Sequence, residues 1–135
     1  MAVDVNEGTI QQLRKALEAD SIDQYSDELY NLAAEDVIED WPQSGERIRG
    51  RDNIKAINEN YEKSTGTRVK GRIRRVSGAG DHWVLEGTID YGDGVPVSYV
   101  NVIDLHDGKI AHVTEYFANP FEAPAWRSRW VEKMG

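Results

Sequence analysis

The sequence predicts a single α+β domain over residues 1–135, with N-terminal helices packed on an antiparallel sheet. Two observations carry this. Apolar residues recur at helical spacing through the first 65 positions, and the chain then changes to alternating runs divided by three glycine-bearing turns. With 39% apolar residues over 135 positions there is material for one hydrophobic core and not for two.

Thr9 followed by Gln12 has the form of a capping box, and Ile10, Leu13 and Leu17 then share a face, which places a first helix over residues 10–19. Ser21 and Gln24 repeat the cap pattern ahead of Ile22, Tyr25, Leu29 and Leu32, a second stripe ending near Ala34. The two helices are expected to pack back to back across a tight turn. Residues 37–41 read as a short strand, stopped by Pro42 and the turn-forming Gln43, Ser44 and Gly45. Gly50 and Asp52 open a third helix bearing Ile54, Ile57 and Tyr61, which frays over residues 64–66.

From Arg68 to Ser77 the residues alternate, with Val69, Gly71, Ile73 and Arg75 on one face and Arg68, Lys70, Arg72 and Arg74 on the other. The basic row is expected to be a solvated face paired with Glu86, Thr88 and Asp90. Turns at residues 78–81, 92–94 and 107–108 then separate strands over 82–91, 95–105 and 109–117, so four consecutive strands form an antiparallel meander. Pro120 ends the last strand, and Pro124 suits the first turn of a short C-terminal helix whose Trp126 and Trp130 lie one turn apart. That helix is expected to cover a sheet edge or a pocket mouth.

Composition narrows the function. Twenty-four acidic residues against 16 basic ones leave a net charge of −8, which repels phosphate backbones and anionic membranes, so neither nucleic acid nor membrane is expected as a partner. The absence of cysteine removes disulfides, thiolate nucleophiles and zinc-finger ligand sets. His82, His106 and His112 have no metal-ligand spacing, and no phosphate loop or dinucleotide fingerprint is present, so no metal and no cofactor is expected. Serine occurs without a GxSxG elbow. The N-terminus has no basic and apolar leader pattern, and a cytoplasmic location is expected.

Three helices, a short strand between the second and third, and a closing four-strand meander is the element order of the nuclear transport factor 2-like superfamily. LAAEDVIEDWP at 32–42 resembles the helix-to-strand passage of ketosteroid isomerases. DGKI at 107–110 with TEYFANP at 114–120 resembles the final strand of SnoaL-like polyketide cyclases, and EYFANPFEAPAWR at 115–127 resembles SnoaL-like bacterial proteins. The resemblance covers nearly the whole chain and implies a cystatin-like cone, in which N-terminal helices and a curved antiparallel sheet enclose one apolar pocket. Such folds host isomerases, cyclases, dehydratases, epoxide hydrolases and non-catalytic binders, so the pocket must decide the function.

The resemblance places Asp40 where ketosteroid isomerases carry their general-base Asp, and Glu115 where polyketide cyclases carry a catalytic Asp. Alternation allows only one of the neighbours Glu39 and Asp40 to point inward. Val113 and Phe117 share the face of Glu115, so this acid needs a partner or a proton, an Arg such as Arg75 being the alternative to a catalytic role. Ala16 stands where the isomerase has its oxyanion Tyr, and Asn101 falls near the isomerase's second oxyanion acid. Val97, Tyr99, Asn101, Ile103 and Leu105 share one strand face, and with Trp41, Tyr61 and Phe117 they are expected to line the cavity.

The expected function is a small cofactor-independent enzyme that uses Asp40 and Glu115 to isomerise, cyclise or dehydrate a small apolar carbonyl compound. The alternative is a non-catalytic binding protein for a small apolar ligand. An epoxide hydrolase would need a water-activating Asp-Arg-Asp set. Val84, Val100 and Val102 fall on the outer face of the meander, and a homodimer built there is expected.

Overall fold

The computed structural model describes residues 4–19, 22–65 and 69–134. Helix α1 runs Val5–Leu17, α2 Ile22–Leu32 and α3 Arg51–Thr65; the strands are β1 Ala33–Trp41, β2 Glu46–Arg49, β3 Lys70–Ala79, β4 His82–Asp90, β5 Val97–His106 and β6 Lys109–Ala118. A 3₁₀ helix, Ala125–Trp130, follows.

Helix α1 starts a turn earlier than the Thr9 reading placed it. Asp4 is its cap, accepting from the Asn6 N–H at 2.9 Å, while Thr9 lies inside the helix and its Oγ1 donates to the carbonyls of Val5 and Gly108 at 3.1 and 2.6 Å. The second capping expectation rested on Ser21, which lies outside the described residues.

Six strands make one sheet in the order β2-β1-β6-β5-β4-β3. The meander β3 to β6 is antiparallel throughout, but β1 lies parallel to β6, with Glu39 opposite Val113 and Asp40 opposite Thr114, so the sheet is mixed. β1 is also longer than the five residues expected, because α2 passes into it without a linker at Leu32–Ala33. β2 was not foreseen; after the turn at Trp41–Gly45 it returns along β1, pairing Arg47 with Asp40.

In β3 the strict alternation breaks. Ile73 pairs with Gly87 and Arg75 with Glu86, leaving Arg74 as the extra residue of a bulge. The faces exchange at that point, so Arg75 turns outward and binds Glu86 instead of facing the interior. Of the expected basic row, Lys70 and Arg72 pair with Asp90 and Thr88 on the outer face, Arg75 takes the place opposite Glu86 expected of Arg74, and Arg68 lies outside the described residues.

The core lies between the helices and the inner sheet face. Ile10, Leu13, Leu29 and Ile54 of the helices meet Leu85, Tyr99, Ile103, Ile110 and Val113 of the strands, all buried. Each of the aliphatic side chains contributes roughly 1.5–3 kcal/mol by leaving water. The C-terminal 3₁₀ helix joins neither the core nor the cavity lining: Trp126 is 75% and Trp130 70% exposed, contrary to the expected cover.

Candidate functional site: a carboxyl pair in an aromatic cavity

Between the helices and the inner sheet face lies a cavity of about 320 Å³. Its walls come from every layer. Tyr25 of α2, Trp41 of β1, Tyr61 of α3, Tyr99 of β5 and Phe117 of β6 face it, as does Tyr91 just past β4. Leu17, Ile22, Val69 and Ile89 complete the apolar side, and Gln43, Ser44 and Asn58 add polar groups.

Two carboxyls enter this space. Val37, Glu39 and Trp41 alternate onto the inner face of β1, and Val113, Glu115 and Phe117 onto that of β6, so the two acids approach one another across adjacent strands. Glu39 is 3% and Glu115 6% exposed. They are near enough that Glu115 acts on the Glu39 carboxyl. Glu115 accepts from the Trp41 indole N–H at 3.0 Å and from the Tyr99 hydroxyl.

Burial, then the charge of Glu115, then the hydrogen bond to it, push Glu39 well above the usual carboxylate range. The neutral form of Glu39 is thereby favoured, and it is the form that can donate to Glu115. Burial also raises the hydroxyls of Tyr25 and Tyr99 well above their ordinary value, with both acids adding to the effect, and lifts Tyr91 to about 12. Tyr25 is partly exposed as a residue, yet its hydroxyl lies in the interior near both acids.

Asp40 is not in the cavity. It points to the opposite face of β1, where Arg47 grips it through Nε at 2.7 Å and Nη2 at 3.0 Å, and His112 Nε2 lies 2.9 Å away. The Arg47 hydrogen bonds, with His112 adding to them, lower Asp40 to about 2. The inward carboxylate of β1 is Glu39, one residue earlier. Asn101 is buried at 2% exposure directly opposite Glu115 on β5, but it lies behind the cavity lining and its Oδ1 makes no hydrogen bond among the described residues. Trp41, Tyr61, Tyr99, Glu115 and Phe117 do come together around one space. Tyr25 and Tyr91 join them without having been singled out as lining residues, and no Lys, Arg or His among the described residues lines the cavity.

A family model, the SnoaL-like domain, matches residues 10–113. The chain belongs to this family. A nuclear transport factor 2-like protein of unknown function from Burkholderia xenovorans LB400 is 35% identical over 97% of this chain and 96% of its own, with a TM-score of 0.76. A Kribbella flavida protein provisionally assigned as a ketosteroid isomerase is 23% identical over 97% of this chain and 90% of its own, with a TM-score of 0.81. A cystatin-like protein from Silicibacter pomeroyi is 24% identical over 84% of this chain and 74% of its own, with a TM-score of 0.65. The latter two likenesses concern the fold alone. No curated protein matches the chain. The SnoaL-like α+β cone is therefore the architecture that holds the Glu39–Glu115 pair.

Proposed function

We propose that this SnoaL-like chain is a small cofactor-independent enzyme that moves a proton on a small apolar carbonyl compound, in an isomerisation, cyclisation or dehydration. The observation that carries the reading is that two buried carboxyls, Glu39 and Glu115, face one apolar cavity, with Trp41 and Tyr99 hydrogen-bonded to Glu115. Burial favours the neutral form of Glu39, which can donate, while the Glu115 oxygens are placed as acceptors by Trp41 and Tyr99. Neutral Glu39 donates to the carbonyl oxygen while Glu115 takes the proton from the adjacent carbon; the enol so formed is reprotonated by the reverse transfers. Trp41 and Tyr99 orient Glu115 for this.

Among the described residues no Asp-Arg-Asp set suited to opening an epoxide lines the cavity, and the Asp40–Arg47 pair lies on the other sheet face. The acidic, cysteine-free composition favours a cytoplasmic setting, and the outer valines favour a homodimer. The test is hydrogen–deuterium exchange at the carbon next to the carbonyl of cyclohexanone and 2-tetralone, followed by NMR in heavy water. Wild type should exceed the buffer rate, with Glu39→Gln and Glu115→Gln each reducing the excess by about 10²-fold or more. A wild-type rate equal to buffer for both ketones would leave the non-catalytic binder as the better reading.

A further inference from the structure

The walls and the charges of the cavity point to the same kind of ligand. Six aromatic rings face it, and two pairs of them meet at tilted angles of 44°, Tyr61 with Tyr91 at 6.3 Å and Tyr99 with Phe117 at 5.3 Å between centroids. The faces of such rings are electron-rich. Among the described residues the titratable groups turned toward the space are Glu39, Glu115 and the hydroxyls of Tyr25, Tyr61, Tyr91 and Tyr99. None of these can carry a positive charge. On the far face of the sheet Arg47 and His112 are engaged with Asp40, and Arg75 with Glu86.

Among the described residues no cation faces the two buried acids, so ionising both is costly, and a neutral ligand does nothing to change that. A cation does. Among the described residues no cluster of three or more His, Cys or acidic side chains is placed to hold a metal ion. An alkylated ammonium group presents methyl surface to aromatic walls and its charge to ring faces and carboxylate together.

We propose that the cavity prefers a ligand bearing a small alkylated ammonium group, seated against the aromatic walls within reach of the Glu39–Glu115 pair. The inference rests on the reading of this cavity as the ligand site and adds the charge of the ligand. Glu39 is held toward its neutral form and loses its proton as pH rises, so binding of a cation strengthens as pH rises. All four tyrosines are raised from their ordinary value, so they stay neutral and do not supply this pH dependence.

The probes are choline and 3,3-dimethylbutan-1-ol, which share a shape and differ in charge, titrated calorimetrically into the intact protein at constant chloride. At about pH 8.5 choline should bind about tenfold more tightly than the alcohol, and its affinity should fall by about tenfold at about pH 5.5. Glu115→Gln and Trp41→Leu should each weaken choline, with circular dichroism confirming the fold. If Glu115→Gln does not fold, Glu39→Gln takes its place and should abolish the pH dependence. Equal affinity for the two probes, no heat from choline at millimolar concentration, or an affinity that does not change with pH would each overturn the proposal. Ketone exchange without choline preference removes the charge assignment and keeps the acid–base reading; choline preference without exchange does the reverse.

Discussion

Glu39 and Asp40 are adjacent carboxylates whose surroundings drive them in opposite directions. Burial raises Glu39, whereas Arg47 lowers Asp40 to about 2. For Glu39, the unfolded chain loses its proton above about pH 4.3 while the folded chain keeps it, so stability falls as pH rises toward the folded value. Glu39→Gln keeps a donor for Glu115 and removes this loss. It should stabilise the protein near pH 8 and do so only a little near pH 4, as read from urea denaturation at both pH values. Asp40 has the opposite sign: its contribution is present above about pH 4 and is lost as pH falls toward 2. Asp40→Asn should therefore cost a little stability at pH 7 and nothing near pH 2, and it should leave ketone exchange unchanged. The inward position of Glu39 was legible in the sequence. Trp41 was read as a cavity residue, and period two makes Glu39 its partner on that face and excludes Asp40; family likeness drew attention to the wrong neighbour.

The β3–β4 ribbon shows what an element adds. Its bulge at Arg74 brings the two backbones close opposite Gly87, where a Cβ would run into the Arg72 carbonyl and the backbone of Ile73. Gly87→Ala should cost about 3 kcal/mol, because no flexible side chain can give way. Gly8 in α1 is the contrasting case, with nothing within 4 Å of an added Cβ. Gly8→Ala should stabilise by about 0.5–1 kcal/mol, and thermal melts of the two variants side by side check both signs. Helices were the more legible elements, since their stripes of Ile, Leu and Tyr are long. The start of α1 was also written locally: Asp4 followed three residues later by Glu7 is a cap signature that the weaker Thr9–Gln12 pair obscured. β2 was invisible, because Glu46, Arg47, Ile48 and Arg49 carry only one buried side chain. What holds this segment as a strand is pairing with β1 and the Arg47 grip on Asp40.

For the whole molecule, apolar surface remains uncovered in two places. Val84, Val100 and Val102 share the outer face of the meander with the partly exposed Tyr116, and Phe121, Trp126 and Trp130 stand out from the C-terminal segment. Light scattering at a concentration on the order of tens of micromolar should report twice the 15.3 kDa chain mass. Val102→Lys should return the protein to its single-chain mass without altering its circular dichroism, since that side chain faces away from the core. A wild-type mass of one chain would contradict the outer-face dimer.

The sequence by itself determined the fold class, the four-strand meander, the face on which Tyr99, Glu115 and Phe117 lie, and the lack of any cysteine chemistry. These are local properties: period, turn residues and composition act over a few positions. Only the tertiary structure decided that β1 runs parallel beside β6, that a bulge turns Arg75 outward to Glu86, and that Glu39 meets Glu115 while Asp40 is held by Arg47 and His112. Which strands become neighbours, and in what register, depends on contacts between residues more than 70 positions apart, such as Trp41 with Glu115, and no local pattern encodes that distance.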